Sequence, residues 1–218
     1  MALALFDLDN TLLAADSDFL WGQFLVEKGL VDAETYDQAN KRFYAEYKQG
    51  TLDIHEFLAF SLQPLTRYSI DELAELHDQF MHKHIISAMT RKGSEHIRMH
   101  KDRGDATVII TATNRFVTAP IADAFGVDDL IATEPEIING RYTGKVAGEP
   151  CFQHGKIIKL DEWLQDTDHD LEGSTFYSDS HNDIPLLEKV STAIAVDPDD
   201  QLRDKAIERN WDILSFRD

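Results

Sequence analysis

Four short, mainly apolar runs constrain the fold of this chain more than any other sequence feature. They lie at residues 3–8, 106–111, 175–178 and 193–196, and polar or turn-forming residues bound each one. Apolar runs of this length are typical of strands that are buried on both faces of a parallel sheet. Helical patterns separate the runs, and this alternation predicts an α/β fold: a doubly wound parallel sheet with right-handed crossovers and helices on both faces.

The interval between the first two predicted strands is too long for one crossover. It spans about 95 residues, far more than a crossover with its helix needs. Four segments within it begin with a capping or acidic residue and carry apolar residues at helical spacing: 18–29, 32–50, 53–62 and 69–85. We therefore expect a core domain of residues 1–14 and 87–218 and an inserted all-helical cap domain of residues 15–86.

The rest of the pattern completes the core. Residues 130–133 predict a further strand, and Asn139-Gly140 between short apolar segments predicts a β-hairpin. Helices are predicted at 87–103, 114–125, 154–164, 184–189 and 199–210. No internal repeat or low-complexity tract interrupts this pattern.

The charge of the chain argues against two classes of partner. Acidic residues number 40 against 21 basic ones, which gives a formal charge of −19 at pH 7. Such a surface repels nucleic acid backbones and anionic lipid headgroups, and no cluster of Lys or Arg offsets it. We expect no nucleic acid partner and no membrane insertion, while the oligomeric state stays open.

Three features favour the cytoplasm. The first six residues carry no basic leader, so we expect no signal peptide. No run of about 18 apolar residues predicts a membrane-spanning helix. The single cysteine, Cys151, has no partner for an internal disulfide, which fits a reducing compartment.

Two pairs of aspartates follow predicted strands. Asp7 and Asp9 follow the first strand, and Asp179 and Asp183 follow the strand at 175–178. Residues two apart on a strand point to one side, and ligands of open α/β sheets bind at the carboxyl ends of strands, so we expect the four acids to converge. Converging carboxylates require a cation, and Mg²⁺ prefers oxygen ligands. One carboxylate can attack an electrophile while another transfers a proton.

Three further residues suit an anion beside these acids. Thr111 ends the second predicted strand, where its hydroxyl and backbone amides such as that of Ala112 can face an anion. Lys156 lies near the start of a predicted helix, an unfavourable place for a cation, which suggests a negative partner. Taken alone, such residues are more often structural or solvated, so both assignments depend on the aspartate pairs.

Together these pieces resemble the haloacid dehalogenase superfamily of phosphohydrolases, in that family's order and over nearly all 218 residues. Residues 7–11, Asp-Leu-Asp-Asn-Thr, are similar to motif I, Thr111 to motif II, Lys156 to motif III, and Asp179 with Asp183 to motif IV. The helical insertion resembles the C1-type cap of the phosphoserine phosphatase-like branch, which also holds histidinol-phosphate phosphatases and phosphatidylglycerophosphatases. The resemblance implies a Rossmann-like core and hydrolysis of a small phosphorylated metabolite.

The resemblance also implies catalytic and metal-binding roles. Asp7 would attack phosphorus to form an aspartyl phosphate, and Asp9 would protonate the leaving oxygen and then activate water. Mg²⁺ would be held by the Asp7 carboxylate, the Asp9 carbonyl and Asp179, with Asp183 either as a ligand or as the partner of one.

Phosphate binding follows from the same resemblance. Thr111, Ala112 and Lys156 would bind the phosphoryl oxygens, and the lysine would offset the crowded carboxylates. One residue departs from the family pattern: motif IV often has glycine before its aspartate, where this chain has Ser178. We expect catalysis to be intact because serine is small.

Substrate specificity is less constrained. Asp16 occupies the place where phosphoserine phosphatases carry a glutamate that binds the substrate amine, and it is also a candidate helix cap, as is Asp18. An ungapped comparison puts Ser61 where those enzymes have a cap arginine for the substrate carboxylate. A substrate with an amine but no carboxylate, such as histidinol phosphate, is therefore our hypothesis, unless Arg42 or Arg67 replaces that arginine.

Several residues have simpler interpretations. The aromatic side chains of the insert, Tyr47 among them, are expected to form the cap core. His77, His82 and His84 are expected to be exposed helix residues, and His181 has only a minor claim to approach the leaving group. Two other functions stay open: phosphotransfer to an acceptor other than water, and a non-catalytic phosphate-ligand sensor on the same fold.

Overall fold

The computed structural model describes residues 2–217 and contains the predicted sheet. Eight strands run in the order β1 Leu3–Phe6, β2 Ala106–Asn114, β3 Asp129–Thr133, β4 Pro135–Ile138, β5 Arg141–Val146, β6 Thr175–Ser178, β7 Thr192–Val196 and β8 Asp212–Leu214. Six of them form a parallel sheet in the order β3-β2-β1-β6-β7-β8. The order reverses between β1 and β6, which places the crevice beside the end of β1. β4 and β5 pair as the predicted antiparallel hairpin.

The sheet core explains why the strands could be predicted. All four residues of β1 are buried. Leu3 and Leu5 pack in one apolar cluster with Val108 and Phe176, while Phe6 packs in the other, on the opposite face. Because neighbouring side chains point to opposite faces, a strand that is covered on both faces must be apolar at every position.

Nine helices flank the sheet or form the insert in the described part of the chain. They are α1 Ser17–Glu27, α2 Ala33–Gln49, α3 Ile54–Leu62, α4 Ile70–Phe80, α5 Arg91–Asp102, α6 Arg115–Phe125, α7 His154–Gln165, α8 Ile184–Leu187 and α9 Asp200–Arg209. Buried residues of α5 and α6 pack on the face of Phe6, and those of α7, α8 and α9 pack on the opposite face. This is the doubly wound arrangement that the sequence predicts. No helix in residues 2–217 is long and apolar enough to cross a membrane.

The helices α1 to α4 lie between β1 and β2 in the chain. Their first residues are capped by the side chains of Asp16, Asp32, Asp53 and Ser69. The chain enters and leaves this region at adjacent points, since the amide of Ala14 donates to the carbonyl of Ala88 at 2.7 Å. Leu13 also forms an antiparallel bridge with Met89.

The first strand ends at Phe6 and not at residue 8, helix α8 ends at Leu187 and not at residue 189, and three further details also differ from the prediction. The helix predicted from residue 87 begins at Arg91, because the Thr90 side chain caps it by accepting from the Gly93 amide. β8 was not predicted, since it is a three-residue edge strand without a buried run. His77 was predicted to be exposed, yet it is buried, with Nε2 2.8 Å from the Val117 carbonyl oxygen.

Candidate active site

The turn after β1 presents its two aspartates at the crevice. The Asp7 amide donates to the Tyr177 carbonyl at 2.9 Å, which continues the β1–β6 ladder by one residue. Asp7 and Asp9 both have extended backbones, and Asn10 then adopts a left-handed conformation with φ of 58°. Asparagine tolerates this conformation better than most residues. The motif that follows the strand is therefore an extended segment with a sharp turn after Asp9.

A buried lysine lies between two aspartates on the floor of the site. Lys156 Nζ donates to Asp7 Oδ1 and to Asp183 Oδ2, both at 2.7 Å, and the Ser178 hydroxyl also donates to Asp183 Oδ2 at 2.7 Å. Burial raises the pKa of Asp7 to about 7, although the Lys156 charge lowers it. Burial lowers the pKa of Lys156, but the charges of Asp183 and Asp7 outweigh this effect and leave it raised. The lysine is therefore a fixed cation.

Thr11 connects the aspartates of the two strand ends. Its hydroxyl lies 3.4 Å from Asp7 Oδ2 and 3.2 Å from Asp179 Oδ1, and it accepts from the Asp179 amide at 3.0 Å. The pKa of Asp179 is raised well above its usual value, first by burial and then by the charges of Asp7 and Asp183. The hydroxyl of Thr11 thus bridges the carboxyl groups of Asp7, which follows β1, and Asp179, which follows β6.

Asp9 is held at the side of the site by two donors. Its Oδ1 accepts from the Ser17 amide at 2.6 Å, and its Oδ2 accepts from the Thr113 hydroxyl at 2.7 Å. Burial raises its pKa to about 6, and the charge of Asp16 raises it as well. A carboxyl group with this pKa can both give and accept a proton near neutral pH.

The end of β2 contributes the predicted hydroxyl. Thr111 is buried, lines the same cleft as Asp7, Asp9 and Ala112, and accepts from the Thr113 amide at 3.2 Å. The strand continues to Asn114 and does not end at Thr111, but its pairing with β3 is irregular between Ile110 and Asn114. Residues 111–113 therefore lie outside the regular ladder, which turns them toward the cleft.

The start of α7 is shaped so that Lys156 reaches the floor. A Cβ atom on Gly155 would lie 1.9 Å from the Pro150 carbonyl oxygen, so only glycine fits there. Gln153, which precedes helix α7, has a φ of 47°. Its Nε2 atom donates to Asn182 Oδ1 at 2.8 Å. This closely packed turn fixes the direction in which the Lys156 side chain leaves the helix.

The floor fits a divalent cation in charge and in donor chemistry. Asp7 and Asp183 share the single ammonium of Lys156, and Asp179 lies close enough for the charges of Asp7 and Asp183 to raise its pKa, so acidic groups outnumber cations here. No group of three or more His, Cys, Asp or Glu side chains between residues 2 and 217 is arranged to hold a metal ion by itself. Mg²⁺ usually binds through one or two carboxylates and completes its shell with water and phosphate oxygens. An open set of oxygen donors therefore suits Mg²⁺.

A cleft extends from this floor to the helices α1, α2 and α3. Its upper part is lined by Asp16, Asp18, Asn40 and Ser61, and by aromatic side chains of α1, α2 and α3: Phe19, Tyr36, Phe43, Tyr44, Tyr47, Phe57 and Phe60. The predicted substrate residue Asp16 thus lines the cleft, but its Oδ1 also caps α1 by accepting from the Phe19 amide at 2.8 Å.

Residues that were considered for other roles lie elsewhere. Arg42 and Arg67 do not line the cleft; Arg42 donates to Glu56 at 2.6 Å, and Arg67 donates to the Leu30 carbonyl at 3.3 Å. His181 Nδ1 lies 2.7 Å from Asp199 Oδ2, outside the cleft lining. Among the described residues that line the cleft, Lys156 is therefore the one with a cationic side chain.

Four contributions were missed at the sequence level. Thr11 lies in the motif at residues 7–11, and Thr113 lies two residues after Thr111; this spacing was the only available signal. Ser178 was noted as a departure from the family pattern, and its hydroxyl turns out to bind Asp183. Tyr47 was assigned to the cap core, yet it lines the cleft and donates to Ser180 Oγ at 3.1 Å, a contact that no local pattern announces.

Comparisons with known proteins identify the family of the chain. The family model of the haloacid dehalogenase-like hydrolases matches residues 4–188. The chain is 45% identical to the histidinol-phosphatase of Neisseria meningitidis serogroup C (strain 8013), over 99% of each chain. It is 32% identical to the phosphoserine phosphatase SerB1 of Mycobacterium tuberculosis (strain ATCC 25618 / H37Rv), over 99% of this chain and 71% of that protein.

A solved structure shows the same architecture. A protein of unknown function from Bordetella pertussis Tohama I is 42% identical and superposes with a TM-score of 0.93 over 99% of both chains. The family model covers most of the sequence, and the relatives cover nearly all of it. The chain therefore belongs to the haloacid dehalogenase-like hydrolase family, as a phosphatase of its phosphoserine phosphatase-like branch.

Proposed function

We propose that the protein is a Mg²⁺-dependent phosphomonoester hydrolase that acts through an aspartyl phosphate on a small amino-alcohol phosphate, with histidinol phosphate as the first candidate. The observation that carries the proposal is the Lys156 ammonium held between Asp7 and Asp183, with Thr11 joining Asp7 to Asp179. This arrangement supports a nucleophilic carboxylate beside a binding place for a phosphoryl group.

The reaction proceeds in two displacements. A carboxylate oxygen of Asp7 attacks phosphorus, and the bond from phosphorus to the substrate oxygen breaks while Asp9 gives that oxygen its proton. Water then attacks the aspartyl phosphate, Asp9 takes a proton from the water, and inorganic phosphate leaves with Asp7 restored. Splitting one difficult displacement in this way lowers each barrier, and the acid–base help contributes about 10²- to 10⁴-fold.

The surrounding residues bind and neutralise the phosphoryl group. Lys156 supplies a fixed positive charge, and the Thr111 hydroxyl and the Ala112 backbone supply hydrogen bonds. Mg²⁺ would be held by Asp7, the Asp9 carbonyl and Asp179, with Asp183 as a ligand or as the partner of Lys156. When bound, the ion offsets the negative charge of the phosphoryl oxygens.

The upper cleft favours a cationic substrate without a carboxylate. Asp16 and Asp18 line it, and the only cationic side chain among the described lining residues, Lys156, is engaged on the floor. A substrate carboxylate would enter beside acids without a cation to pair with it, which is costly in a buried site. Similarity to a histidinol-phosphatase at 45% identity supports the same substrate class. Phosphoserine is the second candidate, supported by the relative in Mycobacterium tuberculosis.

The proposal also covers the division into domains, the cellular compartment and the partners. The paired crossings at Ala14 and Ala88 support a core of residues 1–14 and 87–218 and a cap of residues 15–86. We place the protein in the cytoplasm, with a small phosphorylated metabolite as its partner and without a nucleic acid or membrane partner. The 40 acidic residues against 21 basic ones support the absence of a nucleic acid or membrane partner.

The test is phosphate release from a panel of phosphomonoesters with Mg²⁺. The panel holds histidinol phosphate, phosphoserine, sugar phosphates, nucleotides and lipid phosphates, and Asp7→Asn is the control. We expect histidinol phosphate to be preferred and Asp7→Asn to be inactive. Preference for phosphoserine would reject the substrate, and release from no compound would favour a sensor. An alkyl phosphate product in the presence of an added alcohol would indicate phosphotransfer.

A further inference from the structure

The two carboxylates at the start of α1 have different surroundings. Asp16 precedes the helix, and its side chain is committed to the Phe19 amide as the helix cap. Asp18 lies in the first turn of the helix and lines the cleft. Its Oδ2 atom is buried and has no hydrogen-bond partner among the described residues.

A second buried polar group in the cleft is also without a partner. Ser61, near the end of α3, is only 6% exposed, and its hydroxyl makes no hydrogen bond within the described chain. It lines the same cleft as Asp18. Buried polar groups are nearly always satisfied, so two unsatisfied ones that face a single cleft indicate a ligand that satisfies them.

Aromatic rings form the wall between these two groups. Tyr36 lies near Asp18, since the Asp18 charge adds to burial in raising the pKa of Tyr36. Its ring centroid is 4.5 Å from that of Phe60, the neighbour of Ser61. Phe43 extends this wall, with its centroid 5.4 Å from that of Phe60. The faces of such rings attract cations, and their area favours a flat or apolar body.

We infer that Asp18 is the residue that receives the cationic group of the substrate, and that the Ser61 hydroxyl binds the same end of the molecule. The inference rests on the proposed function and assigns to Asp18 the role that family resemblance gives to Asp16. Asp16 contributes the helix start that positions Asp18. The ligand class is an alcohol phosphate whose other end carries an amine or a protonated ring.

The chemistry of the upper cleft explains why a cation is selected. A carboxylate oxygen that is buried without a donor is unstable until a donor arrives, and a cationic donor gains more than a neutral one. The charges of Asp9 and Asp16 lie close to Asp18 and add to the negative potential there. A cation stabilises the ionised form of Asp18, which burial disfavours, whereas an anionic group in the same place would meet three acidic side chains.

The experiment compares two substrates in each of several variants. Histidinol phosphate carries the cationic end, and p-nitrophenyl phosphate lacks it, so the ratio of their kcat/KM values isolates recognition of that end. In Asp18→Asn we expect this ratio to fall about 10- to 100-fold, the range for a lost hydrogen bond to a charged group. In Ser61→Ala we expect a smaller fall, of about 3- to 10-fold.

Two further variants serve as controls. Asp16→Asn removes a charge but keeps the cap, because asparagine caps helices as well as aspartate does; its ratio should fall less than that of Asp18→Asn. Asp53→Asn makes the same change at the exposed cap of α3, outside the cleft lining, and should leave both kcat/KM values unchanged. A larger fall in Asp16→Asn, or an unchanged ratio in folded Asp18→Asn, would overturn the inference.

A binding measurement separates this inference from the proposed function. If the wild type hydrolyses neither substrate, the proposed function fails, and calorimetry with histidinol, the dephosphorylated alcohol, still tests the subsite. Binding that is lost in Asp18→Asn and kept in Asp53→Asn would support the role of Asp18. Equal affinity in all variants, or no binding by the wild type, would reject it.

Discussion

The ammonium of Lys156 lies 2.7 Å from Asp7 Oδ1, although 149 positions separate the two residues in the chain. The same ammonium lies 2.7 Å from Asp183 Oδ2. One buried cation therefore holds together the proposed nucleophile and the segment that follows β6. Its removal affects both the chemistry and the fold.

Replacement of this lysine is expected to be strongly destabilising. In Lys156→Met, two buried carboxylates lose their partner, and breaking a buried ion pair in this way costs about 3–5 kcal/mol of unfolding free energy. Phosphate release should also be lost. Urea unfolding with EDTA measures the first effect. The double variant Lys156→Met/Asp183→Asn should regain at least about 1 kcal/mol without activity, and a single variant as stable as the wild type would contradict the prediction.

The Thr113 hydroxyl is expected to position Asp9. In Thr113→Val, Asp9 Oδ2 loses the donor at 2.7 Å, and we expect kcat to fall about 10-fold, because such supporting contacts are typically worth 10- to 100-fold. Steady-state kinetics with histidinol phosphate provide the measurement. Thr118→Val is the control, since Thr118 is also buried but donates to the Asn114 carbonyl. A similar loss in both variants would point to packing and not to Asp9.

The buried carboxyl of Asp18 predicts an unusual pH dependence of stability. Burial raises its pKa well above 3.8, and the charges of Asp16 and Asp9 add to this. The folded state then keeps a proton that the unfolded state loses above about pH 4, so this group's contribution to stability falls as the pH rises toward the folded pKa. The Asp18→Asn variant lacks this carboxyl and therefore lacks this decrease in stability with rising pH. Its unfolding free energy relative to the wild type should therefore be larger at pH 8 than at pH 5.

The pKa of Asp32 is shifted in the direction opposite to that of Asp18. Hydrogen bonds from Thr35 lower the pKa of Asp32 below 3.8, so its contribution is complete above that pH and is lost only at lower pH. The difference between Asp32→Asn and the wild type should therefore be the same at pH 5 and pH 8. Metal-free urea unfolding at both pH values checks the pair. If both variants show the same change in relative stability between pH 5 and pH 8, the raised pKa of Asp18 is refuted.

Gly155 is expected to tolerate no side chain. Its Cβ position lies 1.9 Å from the Pro150 carbonyl oxygen, so Gly155→Ala must shift the start of α7 and with it Lys156. We expect a loss of at least about 2 kcal/mol of unfolding free energy and reduced phosphate release. Gly29→Ala is the control, since nothing lies within 4 Å of its Cβ position and only its φ of +67° opposes alanine. That variant should lose about 1 kcal/mol and keep its activity.

The sheet could be predicted because its strands leave an unambiguous pattern. A strand covered on both faces, such as β1, is apolar along its whole length, and no helix packed on one side has that composition. β8 at the edge carries Asp212 and has no such constraint. His77 was misplaced for a related reason. Its polarity suggests exposure, but the rings of Trp21 and Phe116 pack against it, and its Nε2 atom pairs with the Val117 backbone carbonyl.

The candidate site was predictable where one segment holds several chemical groups. Asp7 with Asp9, and Asp179 with Asp183, are such segments, and the end of a parallel strand fixes their direction. The partners of these groups come from distant positions. Thr113 reaches Asp9 over 104 residues, and Tyr47 reaches Ser180 over 133. Such contacts depend on side-chain packing, which no local spacing encodes.

The adjacent crossings of the chain at Ala14 and Ala88 have one further consequence. Because the two ends of the helical segment are fastened side by side, its length and content can change without pulling β1 away from its neighbours. A different inserted segment can therefore be combined with the same hydrolytic site. Selectivity for the alcohol part of the substrate can change without a change in the residues that cleave the ester.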